Sequence, residues 1–481
     1  MNQEAGKLNE DFLKTFYKLV YLAKIHQFNN PLLTECIGDF KNVAGRLLEE
    51  DDHITFQVSR GNIFIQDEKL LHRREIGKLV NNILQYFEKR DLQGLCIFAA
   101  VQEASDEEII DFGRILNESE QQKDPQNWFV EQLEDRGFIW VENVHEQDMH
   151  LTEQDSGAEP LDQEELRKAK AKESYFYALN SIKEVAEKIS SQKKTGVRKA
   201  LRVIQNMVDL VMEDESIVLT ISTIRDYDDY TFTHSINVAI LSMCLGRRIG
   251  ISKTSLHRLG ICGLFHDLGK LDIPVEIIRL PRKLSKSEFD IVKKHTIYSV
   301  AQIIKLQAAR SLKSKILLPP FEHHMKYDLS GYPQTPQRKP VSLFGRILTI
   351  TDVFDAITSS RNYRSTALTQ DQALGYMLEH SGTDFDPILL KAFINMLGVY
   401  PIGSLLELDT GELALAIEAG KGVNGTRPKV VILAADGQGG YTKDGVVDLD
   451  ERDEQSGVFR RNIVKSLHPS THGVQPAEFL I

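Results

Sequence analysis

The chain has 481 residues, 42% hydrophobic and 26% charged, with a formal net charge of -11. Roughly 100–200 residues per domain makes two to four domains, and the near-average composition excludes collagen-like, disulfide-scaffold and wholly disordered chains. The acidic sum leaves no overall footprint for duplex nucleic acid.

The first residues, MNQEAGKLNEDF, are hydrophilic and lack the cationic start and apolar run of a signal peptide. No uncharged apolar stretch reaches the roughly 18 residues needed to cross a bilayer, so a soluble, cytoplasmic protein is expected. Cys36, Cys96, Cys244 and Cys262 form no CxxC pair and sit among apolar neighbours. They read as buried thiols in a reducing compartment.

Residues 1–145 read as a mixed α/β domain. Asp11 to His26 carries apolar residues at helical spacing, and Ile54–Gln66 reads as two short strands around Ser59–Arg60–Gly61–Asn62. Leu95–Val101 has the apolar run of a buried strand, followed by a helix that opens on a Ser105/Glu108 capping box. Phe138–Val144 is a further candidate strand. No Walker loop, GxGxxG or nucleophile elbow occurs here, and the expected role is sensory or regulatory. Residues 101–165 are strongly acidic, and the aperiodic His145–Pro160 stretch marks a linker over 146–160.

From Leu161 to about Leu397 the pattern is almost continuously helical. Residues 161–219 are connecting helices, with an apolar stripe of Leu179, Ile182, Val185, Ala186 and Ile189 that serves either a core or a homodimer contact. An all-α domain is expected over 220–400. Residues 401–481 form a small β extension built on SLLELD, GELALAIEA and PKVVILAAD, with an irregular tail from about Glu451.

The chemistry lies in the helical region. Six of the 14 histidines fall between His234 and His324. His234 shares a helical face with Val238, Leu241 and Leu245, and His266 follows Leu259, Cys262 and Gly263 on another inward face. Asp267 is adjacent, with Lys270 one turn later. His295 lines up with Val292, Ser299 and Ile303 on a helix whose start is marked by Ser285 and Glu288. His323 and His324 follow Pro319–Pro320 at or near a helix start, and Asp352 shares a face with Leu348 and Asp355. Burying several imidazoles and carboxylates is costly without partners, and divalent metal satisfies them together. A donor set without thiolate favours Fe or Mn over structural zinc. Two ions about 3.5–4 Å apart would generate a bridging hydroxide and clamp a phosphate. A single His-Asp pair arises by chance in a chain of this composition, and a lone inward histidine is usually a hydrogen-bonded core residue.

Taken together, His234, HDLGK (His266–Lys270), His295, HHMKYDLSGYP (His323–Pro333) and TDVFDAITSSRNYR (Thr351–Arg364) resemble the HD-GYP domain, a branch of the HD phosphohydrolases. The resemblance covers roughly residues 220–400. It implies a helical, bacterial signal-transduction domain that hydrolyses cyclic di-GMP to the linear dinucleotide pGpG, with GMP the product of a second cut. It also implies that His234, His266, Asp267 and Asp352 hold one metal and that Asp267 bridges to a second held by His295, His323 and His324. Lys270 would touch the scissile phosphate or the bridging water. Tyr332 would line the substrate pocket, Arg361 and Arg364 would grip phosphates, and Asp355 would orient Lys270 or a ligand.

The chain departs from the family pattern at several points. Tyr230 stands where some members carry a glutamate for a third metal, so two metals are expected. Met325 replaces the usual Glu, Leu329 the usual Gly, and Leu280–Pro281–Arg282 the common Lys-Pro-Gly; the QTPQRKPVS segment also differs. An enzyme is the leading expectation. The alternatives are a non-catalytic cyclic di-GMP receptor or adaptor, docking a diguanylate cyclase through the Tyr332 loop, and a phosphodiesterase for a related dinucleotide such as cyclic GMP-AMP.

Overall fold

The computed structural model describes residues 2–480 apart from 27–29, 50–52, 60, 67, 71–75, 139, 145–159, 192–196, 225–229, 281, 307, 309, 337–338, 360–366, 421–424 and 438–439. The chain divides into two compact units, residues 1–157 with 307–309 and residues 158–306 with 310–481.

The first unit is mixed α/β, as its patterning indicates. Helices Asn2–Ile25 and Pro31–Leu47 precede strands β1 (His53–Ser59), β2 (Asn62–Ile65), β3 (Glu68–Lys69), β4 (Gly94–Phe98) and β5 (Val141–Asn143). These form one antiparallel sheet in the order β3-β2-β1-β4-β5. Ile54 and Phe56 alternate inward on β1, as do Ile63 and Ile65 on β2, and the Ser59–Asn62 pairing closes the expected hairpin. Phe12, Phe16, Phe40, Phe56 and Phe87 fill the core between sheet and helices. Ser105 Oγ accepts from Glu108 N at 3.1 Å and so starts helix Asp106–Glu118. The strand expected over Phe138–Val144 is shorter, since only Val141–Asn143 pairs with β4. The linker histidines His145 and His150 lie outside the described residues.

The second unit begins with helices Pro160–Ser190, Arg198–Glu213 and Glu215–Ile221. Leu179, Ile182, Val185 and Ala186 are buried, and their helix packs on Arg198–Glu213, so the apolar stripe is used within the chain. Helix Tyr230–Arg248 runs at the centre of the unit. It packs on Lys253–Phe265 and on Leu343–Thr358, while His295–Lys305 packs on Leu318–Glu322. The full capping box at Ser285 is present and starts helix Lys286–Val292.

The carboxy-terminal part carries β6 (Leu405–Leu408), β7 (Leu413–Glu418), β8 (Lys429–Ala435), β9 (Tyr441–Asp448) and β10 (Ile463–Leu467). They make a second antiparallel sheet in the order β10-β6-β7-β8-β9. Leu406, Leu408, Ala414, Val430 and Ile432 form its core. The expectation of an irregular tail from Glu451 is corrected here, because β10 pairs with β6 and helix Pro476–Leu480 follows. None of β10's residues is fully buried, so its sequence lacks the apolar alternation that marks a strand. Pairing with a distant partner decides its conformation.

Candidate metal centre

Five helices and one turn bring the candidate residues together. Val238, Leu241 and Leu245 are buried with His234, as their helical spacing requires. His266 caps the end of helix Lys253–Phe265, and Asp267 opens the 3-10 turn Leu268–Asp272. That turn is tied to the His295 helix by Ser299, whose Oγ donates to His266 O and accepts from Gly269 N, both at 2.8 Å. Gly269 is required there, since a Cβ would lie 2.0 Å from His295 O. His323 and His324 stand at the end of helix Leu318–Glu322, not at its start, because Pro319 and Pro320 already occupy its first turn. Asp352 and Asp355 are one turn apart on helix Leu343–Thr358 and both face inward.

The ring orientations follow a common rule. Nδ1 of His266 donates to Gly263 O at 2.7 Å, Nδ1 of His295 to Val292 O at 2.6 Å, and Nδ1 of His323 to Pro320 O at 2.7 Å. Each bond runs to the carbonyl three residues earlier. A carbonyl only accepts, so Nδ1 carries the hydrogen and the Nε2 lone pair is left for another partner. At His234 a carboxylate takes the carbonyl's place, with Nδ1 2.7 Å from Asp355 Oδ2. Such outer partners fix ring orientation at metal sites.

The Nε2 atoms converge on the carboxylates. His234 Nε2 lies 3.0 Å from Asp352 Oδ1, and His266 Nε2 lies 3.2 Å from Asp267 Oδ2. His295 Nε2 is 3.4 Å from Asp267 Oδ1 and 3.4 Å from His323 Nε2, while His324 Nδ1 is 3.8 Å from Asp352 Oδ2. Three ligand groups emerge with their donor atoms within 4.8 Å of one another: His234–His266–Asp352, His266–Asp267–His323 and His295–His323–His324. Asp267 therefore sits between rings assigned to the two expected ions.

The electrostatics fit a divalent ion. Burial, followed by the neighbouring His324, holds His323 well below the usual histidine range; burial takes His324 down to about 3. Both rings are thus neutral lone-pair donors. Burial would raise Asp267, but Lys270 and then His266 outweigh it and keep the carboxylate ionised. Burial likewise opposes the charge on His234, yet the bonds to Asp352 and Asp355 raise it to about 9. His266 Nε2 and Asp267 Oδ1 are buried without a hydrogen-bond partner. Unpaired atoms of this kind at a cluster of imidazoles and carboxylates are what a bound cation satisfies.

Around the mouth, Lys270 Nζ is paired with Asp267 Oδ2. The Tyr332 ring stands 4.8 Å from the His324 ring at an interplanar angle of 37°. Its loop is folded back on the histidines: Tyr332 N donates to His324 O at 2.9 Å and Gly331 N to Met325 O at 3.0 Å. A Cβ on Gly331 would lie 2.0 Å from His324 O, so only glycine permits this approach. Leu329, in the position where the family carries glycine, has φ 65. Arg361 and Arg364 lie outside the described residues.

Sequence reasoning did not single out three supporting groups. Asn237 Nδ2 donates to Asp355 Oδ1 at 3.3 Å, and Thr349 Oγ1 donates to His323 O at 2.8 Å. Glu322 Oε2 accepts from Ser342 N at 3.1 Å and from the Ser342 hydroxyl, which joins the His323 helix to the start of the Asp352 helix. Asn237 is one turn from His234, a signal that spacing could have used. The other two act across helices, and nothing local marks them.

Residues 219–389 match the family model described as an HD domain. The Gly331–Tyr332–Pro333 triplet, on which the resemblance to the HD-GYP branch rests, falls within this match. The chain is 31% identical over 225 residues to the cyclic di-GMP phosphodiesterase PA4108 of Pseudomonas aeruginosa, covering 47% of this chain and 53% of that protein. It is 34% identical over 172 residues to the 3'3'-cGAMP-specific phosphodiesterase 3 of Vibrio cholerae, covering 36% of each. A third relative, the cyclic di-GMP phosphodiesterase response regulator RpfG of Xanthomonas campestris, is 31% identical over 150 residues, covering 31% of this chain and 39% of that protein. The chain thus spans about half the length of these relatives or less. Among the described residues no helix is long and apolar enough to cross a membrane.

Proposed function

We propose that the chain is a metal-dependent phosphodiesterase that hydrolyses cyclic di-GMP to linear pGpG or GMP. The observation that carries this reading is the convergence of His234, His266, His295 and His323 through Nε2 on Asp267 and Asp352, each ring held by its own Nδ1 bond. His234, His266, Asp267 and Asp352 would hold one divalent ion, and Asp267, His295, His323 and His324 a second, with Fe or Mn suited to the donor set. Two such ions supply a nucleophile from water at neutral pH and neutralise phosphoryl charge.

The chain's own groups do the rest. The Nδ1 bonds hold the rings aimed, so little reorganisation accompanies the reaction. Lys270, fixed by Asp267, places a cation beside the phosphoryl oxygens. Tyr332, packed on His324, lines the entrance and orients the substrate, and Arg361 and Arg364 serve as phosphate grips. Asp355 acts through His234. In this reading residues 1–145 regulate, 146–160 link, 161–219 connect and 220–400 catalyse, with 401–481 as an extension. Four buried thiols without a disulfide support a reducing, cytoplasmic setting.

The test is anaerobic incubation with cyclic di-GMP and Fe²⁺ or Mn²⁺, with products resolved by chromatography beside an Asp267→Ala control. Linear dinucleotide or GMP from the wild type alone is expected. No product from protein carrying about two ions per chain overturns the reading. One observation favours a second substrate: a relative at 34% identity is named as specific for 3'3'-cGAMP. A substrate panel of cyclic di-GMP, cyclic GMP-AMP and cyclic di-AMP separates the two.

A further inference from the structure

A second cleft lies between the helical bundle and the carboxy-terminal sheet. The space it leaves for a water-sized sphere is about 70 Å³, several times what a single water needs. His234, Asn237 and Asp355 line it, whereas Lys270, His324 and Tyr332, at the mouth of the metal centre, do not. Residues 466–470 and 474–476 form another wall. That wall is pinned to the bundle: His468 Nε2 donates to Thr358 O at 3.2 Å, and Ser466 Oγ donates to Thr369 Oγ1 at 2.9 Å.

The lining chemistry is selective. Among the described residues no Lys or Arg lines the cleft. Its carboxylates are Asp355, already engaged by His234 and Asn237, and Asp371. Ser359, 3% exposed, and Asp371 each hold a buried side-chain oxygen with no hydrogen-bond partner, Ser359 Oγ and Asp371 Oδ1. Buried polar atoms are ordinarily satisfied, and exceptions call for an explanation. Both residues line the cleft. Leu368, Leu467 and Val474 add apolar surface suited to the faces of a flat ring.

We infer that this cleft binds a planar ring that presents two adjacent N–H donors, the guanine base of a nucleoside. The Asp371 carboxylate accepts from N1–H and the 2-amino group, and the Ser359 hydroxyl donates to O6. The choice of guanine among such rings rests on the proposed substrate; the site itself does not depend on turnover.

The test is calorimetric titration of the full chain with guanosine, adenosine and xanthosine. Guanosine is expected to bind about tenfold or more tightly than adenosine, since a site built for N–H donors rejects a ring lacking them. Ser359→Ala weakens guanosine severalfold. Asp371→Asn offers an amide N–H where the carboxylate only accepted, so preference moves from guanosine to xanthosine, whose C2 carries a carbonyl in place of the amino group. Thermal melts of each variant check folding, and a gained xanthosine affinity cannot come from misfolding. No guanosine binding at millimolar concentration, or a preference unchanged by both substitutions, overturns the inference. Binding is read without hydrolysis, so a chain that fails to cut cyclic di-GMP yet shows the base switch keeps this site. One that cuts but binds no nucleoside loses the site alone.

Discussion

Asp355 Oδ2 and His234 Nδ1 stand 2.7 Å apart, and this single bond determines which nitrogen of His234 faces Asp352. The other carboxylate oxygen of Asp355 is held by Asn237 at 3.3 Å. Removing the carboxylate in Asp355→Ala lets the ring turn and change tautomer. Metal affinity is expected to fall about 10- to 100-fold, as for outer partners at other metal sites. Competition with a chelating dye measures it. An affinity equal to wild type would show that His234 needs no such support.

Gly269 makes a tight backbone contact beneath the centre. A methyl group there would lie 2.0 Å from His295 O and 2.3 Å from Ser299 N. Gly269→Ala must push the 3-10 turn away from the His295 helix, moving Asp267 with it. The expected cost is about 3 kcal/mol or more, seen as a lower denaturation midpoint together with weaker metal binding. A variant as stable as wild type would mean that the turn yields freely.

Leu329 tests whether the departure from glycine is strained. With φ 65, a leucine carries a left-handed cost of roughly 1–2 kcal/mol, partly offset because glycine loses more entropy on folding. Leu329→Gly should raise stability by about 0.5–1 kcal/mol. A β-branched residue tolerates this region poorly, so Leu329→Val should lower it. Urea midpoints rank the three proteins, and the order Gly above Leu above Val is expected. Valine matching leucine would remove the strain argument.

The metal-free protein should show a two-sided pH dependence. Burial lowers His295, His323 and His324 in the folded chain, the last to about 3. The unfolded chain takes protons on these rings near pH 6.5, so stability falls as pH drops from about 6.5 toward 3. His234 acts in the opposite sense, raised to about 9 because Asp352 and Asp355 outweigh its burial. Its contribution is complete below about pH 6.5 and is lost as pH rises through 9. Thermal melts of chelator-treated protein should therefore decline on both sides of this window, with the alkaline decline absent in His234→Gln. A flat profile from pH 5 to 9 would contradict this account.

Glu322 links two ligand-bearing helices through Ser342 N at 3.1 Å. Glu322→Ala leaves that amide without its acceptor and should cost about 1–2 kcal/mol. Glu322→Gln keeps an acceptor and should recover part of it. Denaturant unfolding of both variants provides the check, and an alanine variant indistinguishable from wild type would remove the link.

Much of the centre was legible in the linear sequence. The spacing of His234 with Val238, Leu241 and Leu245 already turned the ring inward, and Asp352 and Asp355 one turn apart had to share a face. Those facts depend only on helical geometry, which local sequence controls. The β1–β2 hairpin and the Ser285 capping box were readable for the same reason. Tertiary structure decided what local rules do not reach. Which nitrogen of each histidine carries the hydrogen depends on the carbonyl or carboxylate the fold brings to it. Asp355 could have served Lys270 or a ligand from sequence alone, and only the approach of the Tyr230–Arg248 helix set it against His234. The conformation of β10 likewise came from β6, more than 50 residues away. Short-range spacing determines which face a side chain is on; packing between distant segments determines what it meets there.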